Sequence, residues 1–285
     1  GNAGAHNNLG AALKDRGKAD AAIASFSKAI ELCADHVEAY YNMGNTLWDI
    51  KRHKDAIENY KIALKYDPAH TEARWNLAIA LLLTGNYEQG WREFEIRYER
   101  KTPSPRLFKQ PKWDGSFLGN KTILVHAEQG FGDTFQFVRF LPMVKAKGGR
   151  VIFECQKKLS PLLKSCIGID EIIEHTGSDE LQIHFDTHIP LLSLPGLFHV
   201  DLNTLPAKVP YIFADPALTE VWRKRLNGDN TFKIGIVWAG NPKSVLYHSR
   251  TCPLAEFGVL NQIKGVTFFN LQKGSEASKI ADLPN

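Results

Sequence analysis

Cysteine is scarce and scattered in this chain of 285 residues. Cys33, Cys155, Cys166 and Cys252 form no C-x-x-C pair, so neither a disulfide framework nor a thiolate zinc centre is expected, and a reducing, cytoplasmic setting is the default. Long apolar runs are missing too. No eighteen consecutive apolar residues occur and no charged-then-apolar leader opens the sequence, so neither a helical membrane span nor a secretory signal is expected. Gly1 to Gly4 reads as a cut within a longer protein. A dominant charge is also lacking, since 35 Lys and Arg face 31 Asp and Glu. The basic surplus falls in 102–285 and includes Arg106, Lys109 and Lys112, too few to make a nucleic-acid surface. A content of 44% hydrophobic and 23% charged residues is that of an ordinary globular protein long enough for two domains.

What the chain does have is a period of 34 residues over positions 1–101. Asn8, Asn42 and Asn76 precede Leu9, Met43 and Leu77, then Gly10, Gly44 and Ala78, and later Leu13, Leu47 and Leu81. In the second half of each unit, Ala22, Ala56 and Gly90 keep phase with Phe26, Tyr60 and Phe94, whereas Ala29 and Ala63 are matched by Arg97. Small residues at fixed places let paired helices approach, and the aromatic fills the gap between them. These features resemble three tetratricopeptide repeats, with Pro68 where that family ends a unit, and such arrays present a concave surface. Asn8, Asn42 and Asn76 are the candidates to hydrogen-bond an extended peptide there. Trp48, Trp75 and Trp91 are assigned to packing, and the last stretch, WREFEIRYER, to a cap that docks on the C-terminal part of the chain.

Residues 102–121, with three prolines and two glycines, form a linker. Next comes TILVHAEQGFGDTFQFVRFL, which reads as buried strand, glycine loop and helix. Gly130 and Gly132 allow close backbone approach to a ligand, and Asp133 opens a helix expected to run to Lys147, where Gly148 and Gly149 stop it. Further strands at RVIFEC, DEIIEH and THIPLL and a helix over Lys157 to Lys164 make 122–215 a parallel-sheet, Rossmann-like domain. A dinucleotide cofactor is not expected, because Phe135 stands where the third glycine of that fingerprint belongs. His184 and His188 lie in an extended segment, not on a helix, so they make no zinc pair.

Residues 216–285 repeat the design in part. A helix over Pro216 to Leu226 leads to the strand FKIGIVWAG, the loop NPKSVLYHSR, a helix from near Pro253, and the strand VTFFNLQKG. Gly240 supplies loop backbone, while Lys243, His248 and Arg250 gather cationic or donor groups before a helix N-terminus, a cradle suited to diphosphate. Asn241, Gln272 and Lys273 complete the expected donor-binding set.

In this order, EQGFGD, WAGNP, SR-x-C-P-L and LQKG resemble the heptosyltransferases of glycosyltransferase family 9, over roughly 100–285. The resemblance implies two facing α/β domains of the GT-B kind, with the acceptor held by the first domain and a nucleotide-sugar by the second. It makes Asp133 the base and Arg250 a donor-phosphate contact, where heptosyltransferases commonly carry lysine. The layout is also similar to that of the O-linked N-acetylglucosamine transferases. An inverting transfer needs a carboxylate to take the acceptor proton and positive charge to hold the leaving diphosphate. With no D-x-D in the chain, a metal-free reaction without cofactor is expected. From Phe232 onward only 54 residues remain, fewer than the 100 to 150 or so such a domain needs, so the second domain is expected to be partial and an open sheet edge able to self-associate. The alternative is a non-catalytic scaffold whose repeats recruit a partner.

Overall fold

The structure, a computed structural model, describes residues 1–100, 106–175, 181, 183–228, 230–240, 242 and 250–282. The chain divides into two compact units, Gly1–Phe213 and Ala214–Asn285.

The first unit opens with six helices, α1 (Ala3–Asp15), α2 (Ala19–Leu32), α3 (Val37–Asp49), α4 (His53–Tyr66), α5 (Thr71–Leu83) and α6 (Tyr87–Phe94). In the first two pairs, glycine meets an aromatic ring. A Cβ built on Gly10 would lie 2.5 Å from the Phe26 ring, and one on Gly44 2.6 Å from the Tyr60 ring. The period also governs the ends. Asn2 Oδ1, His36 Nδ1 and His70 Nδ1 accept from the backbone N–H groups of Ala5, Ala39 and Ala73 at 3.2, 3.3 and 3.1 Å, capping the first helix of every unit. That role puts the ring proton of each histidine on Nε2. Each pair turns through a left-handed residue, Gly17, Lys51 or Gly85, and the N–H groups of Lys18, Arg52 and Asn86 close back on Leu13, Leu47 and Leu81.

Four parallel strands come next, β1 (Gly119–His126), β2 (Gly148–Cys155), β3 (Glu171–Glu174) and β4 (Thr187–Pro190), in the order β3-β2-β1-β4. Ile123, Val125, Val151, Phe153 and Ile189 point to one face. There they pack under α7 (Phe131–Phe137), α8 (Leu141–Lys145), α9 (Ser160–Leu163) and α10 (Leu194–Leu197). The single helix expected from Asp133 to Lys147 begins at Phe131 and breaks over Val138–Phe140, since Pro142 has no N–H for the carbonyl four residues back. Gly148 and Gly149 do more than stop it. Both sit at positive φ inside β2, and a Cβ on Gly149 would come within 2.5 Å of the Lys121 carbonyl.

The other face has no helix among the described residues. Leu124 and Ile152 are covered by Phe185 and by Phe108 of the linker. Phe108 also lies against His126 and His188, whose rings approach at 3.4 Å, Nδ1 of His188 to Nε2 of His126. Burial, more than any neighbour, pulls the His126 pKa down to about 3, so this ring is neutral. Buried Glu154 pairs with Arg106 and with His175.

The second unit holds α11 (Pro216–Leu226), capped by Asp215, and the parallel pair β5 (Phe232–Ile236) and β6 (Val266–Asn270). The helix expected from near Pro253 is a 3₁₀ helix, Leu254–Gln262. No described helix in the chain is long and apolar enough to cross a membrane.

Lys51 is the one non-glycine among the three phase-related turn residues, with φ of 68°. A left-handed lysine costs about 1–2 kcal/mol, partly offset by the chain entropy that glycine would lose on folding. Lys51→Gly is therefore expected to stabilise the protein by about 0.5–1 kcal/mol, read from the urea midpoint; a lower midpoint would contradict the strain.

Candidate functional site

The repeats build a cavity of about 300 Å³ on the first helices of the units. Trp48, Trp75 and Ile79 form its walls, and Tyr60, Asn45 and Asn76 its floor, with Lys14 and Asp49 at the edge. Asn76 Nδ2 donates to Asn45 Oδ1 at 2.8 Å, and the Tyr60 hydroxyl donates to the same oxygen at 2.9 Å. One unit earlier, Asn42 Nδ2 donates to Asn7 Oδ1 at 3.0 Å. Of the three asparagines expected to read a peptide, Asn42 and Asn76 thus bridge neighbouring repeats, while Asn8 is exposed. Asn7 and Asn45, their partners, do not stand out in the sequence because they break the 34-residue phase.

The array ends on a single turn, Glu95–Tyr98, pressed against the sheet. Arg97, only 1% exposed, takes the place of Ala29 and Ala63. Its Nε and Nη2 donate to the two oxygens of Glu128 at 3.1 and 3.2 Å, Nη1 to Glu95 at 2.6 Å, and Nη2 to Ser193 at 2.7 Å. The Tyr98 hydroxyl and the Leu192 N–H also donate to Glu128, at 2.6 and 3.1 Å. Burial opposes the Arg97 charge, yet Glu128, Tyr98 and Glu95 outweigh it and raise its pKa. For Glu95, burial would raise the carboxyl, but Arg97 and Lys112 hold it below the usual range. Glu128 lies just after β1 and Ser193 just after β4. These adjacent strands lie where the chain order changes direction, the edge at which open α/β sheets usually carry ligands.

In the glycine loop itself, Gly130 caps α7 and Asp133 stands at its third residue, accepting from the Gly130 N–H at 3.0 Å. A carboxylate there satisfies an orphan amide and suits the helix dipole. Gln156 braces the loop from the next strand, donating to the Gln129 carbonyl at 2.7 Å and accepting from Thr134 at 3.1 Å. Gly132 has open space where a Cβ would be.

In the second unit Gln272 is buried. Its Oε1 accepts from the N–H groups of Trp238 and Ala239 at 3.1 and 2.9 Å, and its Nε2 donates to the Ala239 carbonyl at 3.1 Å. It thus holds the turn leading to Gly240. Gly240, Arg250 and Lys273 are exposed. Asn241 and Lys243 lie outside the described residues.

Residues 10–51 match the family profile for the TPR repeat, and residues 41–95 that for the tetratricopeptide repeat. The N-terminal array is therefore made of tetratricopeptide repeats. Protein FlbA of Caulobacter vibrioides is 25% identical over 223 residues, which is 72% of this chain and 37% of FlbA. The chain thus spans well under half of that relative's length. Among solved structures, MamA is 26% identical with a TM-score of 0.33, over 34% of this chain and 57% of MamA. The first TPR of Spaghetti (RPAP3), solved with an HSP90 peptide, is 18% identical with a TM-score of 0.34, over 36% of this chain and 81% of that one.

Removing one partner of a buried ion pair strands the other, at about 3–5 kcal/mol. Arg97→Met should lower stability by about that much in urea unfolding. Arg97→Met with Glu128→Gln should lose less than the two single changes added together. Strict additivity would mean that the two side chains do not depend on each other.

Proposed function

We propose that the repeat array captures an extended peptide segment of a protein partner in the cavity between Trp48 and Trp75. Tetratricopeptide repeats are protein-interaction modules, and the finer reading rests on the Asn45–Asn76 bridge. With Asn45 Oδ1 already accepting twice, the Asn45 N–H₂ group and the Asn76 carbonyl have no partner among the described residues. Together they leave amide donors and a carbonyl acceptor for the C=O and N–H groups of an extended main chain. Asn76→Ala removes one of the pair. It should weaken binding of a selected peptide about 5- to 30-fold, the equivalent of roughly 1–2 kcal/mol, in fluorescence polarisation with the whole chain. Unchanged affinity would place binding elsewhere.

A second reading is sugar transfer from a nucleotide-sugar, with Asp133 as base and Arg250, Lys273 and the Asn241–Lys243 loop as donor contacts. What supports it is the half-buried position of Asp133 in the first turn of the helix after β1, next to a loop that Gln156 braces. An acceptor proton would pass to its carboxylate as the glycosidic bond forms and the nucleoside diphosphate leaves. On this reading Asp133→Asn abolishes transfer in a coupled nucleoside-diphosphate assay while thermal melting stays unchanged, because a side-chain oxygen can still accept from Gly130. An undiminished rate would remove Asp133 as base, and the absence of a melting shift with every nucleotide-sugar tested would remove the reading.

A further inference from the structure

Building on peptide capture in the repeat cavity, we infer that this cavity is specific for an uncharged segment anchored by one bulky apolar side chain, and not for an acidic or basic peptide. Only two charged side chains line the cavity among the described residues, Lys14 and Asp49, and they neutralise each other at 3.4 Å. A further cation, Arg100, stacks on the Trp75 ring at 4.6 Å. It already holds both carboxylate oxygens of Glu72, at 3.0 and 3.1 Å. A carboxylate entering the cavity would give up water without gaining a counter-ion, and an ammonium would fare no better against the paired Asp49. The Tyr60 hydroxyl is held neutral as well, because burial raises its pKa.

What remains is aromatic and aliphatic surface around a neutral amide pair. Trp48, Trp75 and Ile79 offer ring faces and methyl groups to one large side chain, which gains by leaving water. The Asn45 and Asn76 amides meet the adjoining peptide group, whose dipole is neutral like their own. About 300 Å³ accommodates such a side chain with part of its backbone.

The test uses fluorescein-labelled octapeptides of Gly, Ser and Asn, with a central Phe, Leu or Ser, and versions of each flanked by Glu or by Lys. Binding to the whole chain is read by fluorescence polarisation. Phe and Leu peptides are expected to bind at least about tenfold tighter than the Ser peptide and to gain nothing from flanking charge. Their affinity should stay within roughly twofold between about 50 and 500 mM salt. Trp48→Ala should abolish the preference for Phe. Asp49→Asn, which unpairs Lys14, should improve the Glu-flanked peptides relative to the Lys-flanked ones. If the Glu- or Lys-flanked peptides bind best, with steep salt dependence and loss on Asn76→Ala, capture in the cavity stands and its neutrality falls. If no peptide binds, or binding ignores both Asn76→Ala and Trp48→Ala, capture in the cavity falls and takes this inference with it.

Discussion

The first unit depends on a buried guanidinium. Arg97 could not sit 1% exposed without partners for its donors, because an unpaired buried charge costs several kcal/mol. The chain satisfies it from three directions: Glu95 on its own turn, Glu128 after β1 and Ser193 after β4. The guanidinium also lies over the Phe94 and Tyr98 rings, at 4.9 and 4.2 Å. If the repeats leave the sheet, Arg97 keeps only Glu95 of those three residues and Glu128 loses its cation. The join is therefore a condition of stability for both parts, and a hinge between array and sheet is disfavoured by the same charges that close it.

That join has a consequence for the strand ends. The crevice that an open parallel sheet offers its ligands usually lies at the carboxyl ends of adjacent strands where the order reverses. Here the ends of β1 and β4 receive Arg97 and Tyr98 of the last repeat instead. The loop after β1 is held by Arg97 through Glu128 on one side and by Gln156 on the other. A loop braced twice is preorganised, so Asp133 keeps its place without help from a bound ligand. The carboxylate nevertheless has a structural occupation already, the Gly130 N–H, and any chemistry it performs must coexist with that bond.

Much of this was legible in the sequence, and for a physical reason. Where a position repeats every 34 residues it is answering a packing demand that recurs, so Gly10, Gly44, Ala22, Ala56, Phe26 and Tyr60 announce helix pairs by their spacing. Apolar runs bounded by glycine likewise marked β1 and β2. The histidine caps His36 and His70 were less visible, because histidine is not a usual cap residue. The break at Pro142 was written in the chain but lost inside an otherwise helical pattern. Gln272 could not be read as a structural residue, since its partners are backbone amides more than thirty positions away. The Arg97 network was signalled only by its irregularity, a charge where the two earlier units carry alanine.

That irregularity is general. Positions that keep phase make the array, and several that leave it take on other work. In the phase of Arg97 the chain goes from Ala29 and Ala63 to a guanidinium that meets the sheet. In the phase of Trp48 it runs Lys14, Trp48, Leu82, and in that of Asn45 it runs Ala11, Asn45, Ile79. Lys14, Trp48, Asn45 and Ile79 all line the cavity. A repeat fold makes the same packing demand of every unit, yet these positions differ from one unit to the next. Their differences are what gives the cavity one composition, aromatic and amide with its charges cancelled, out of units that are otherwise copies.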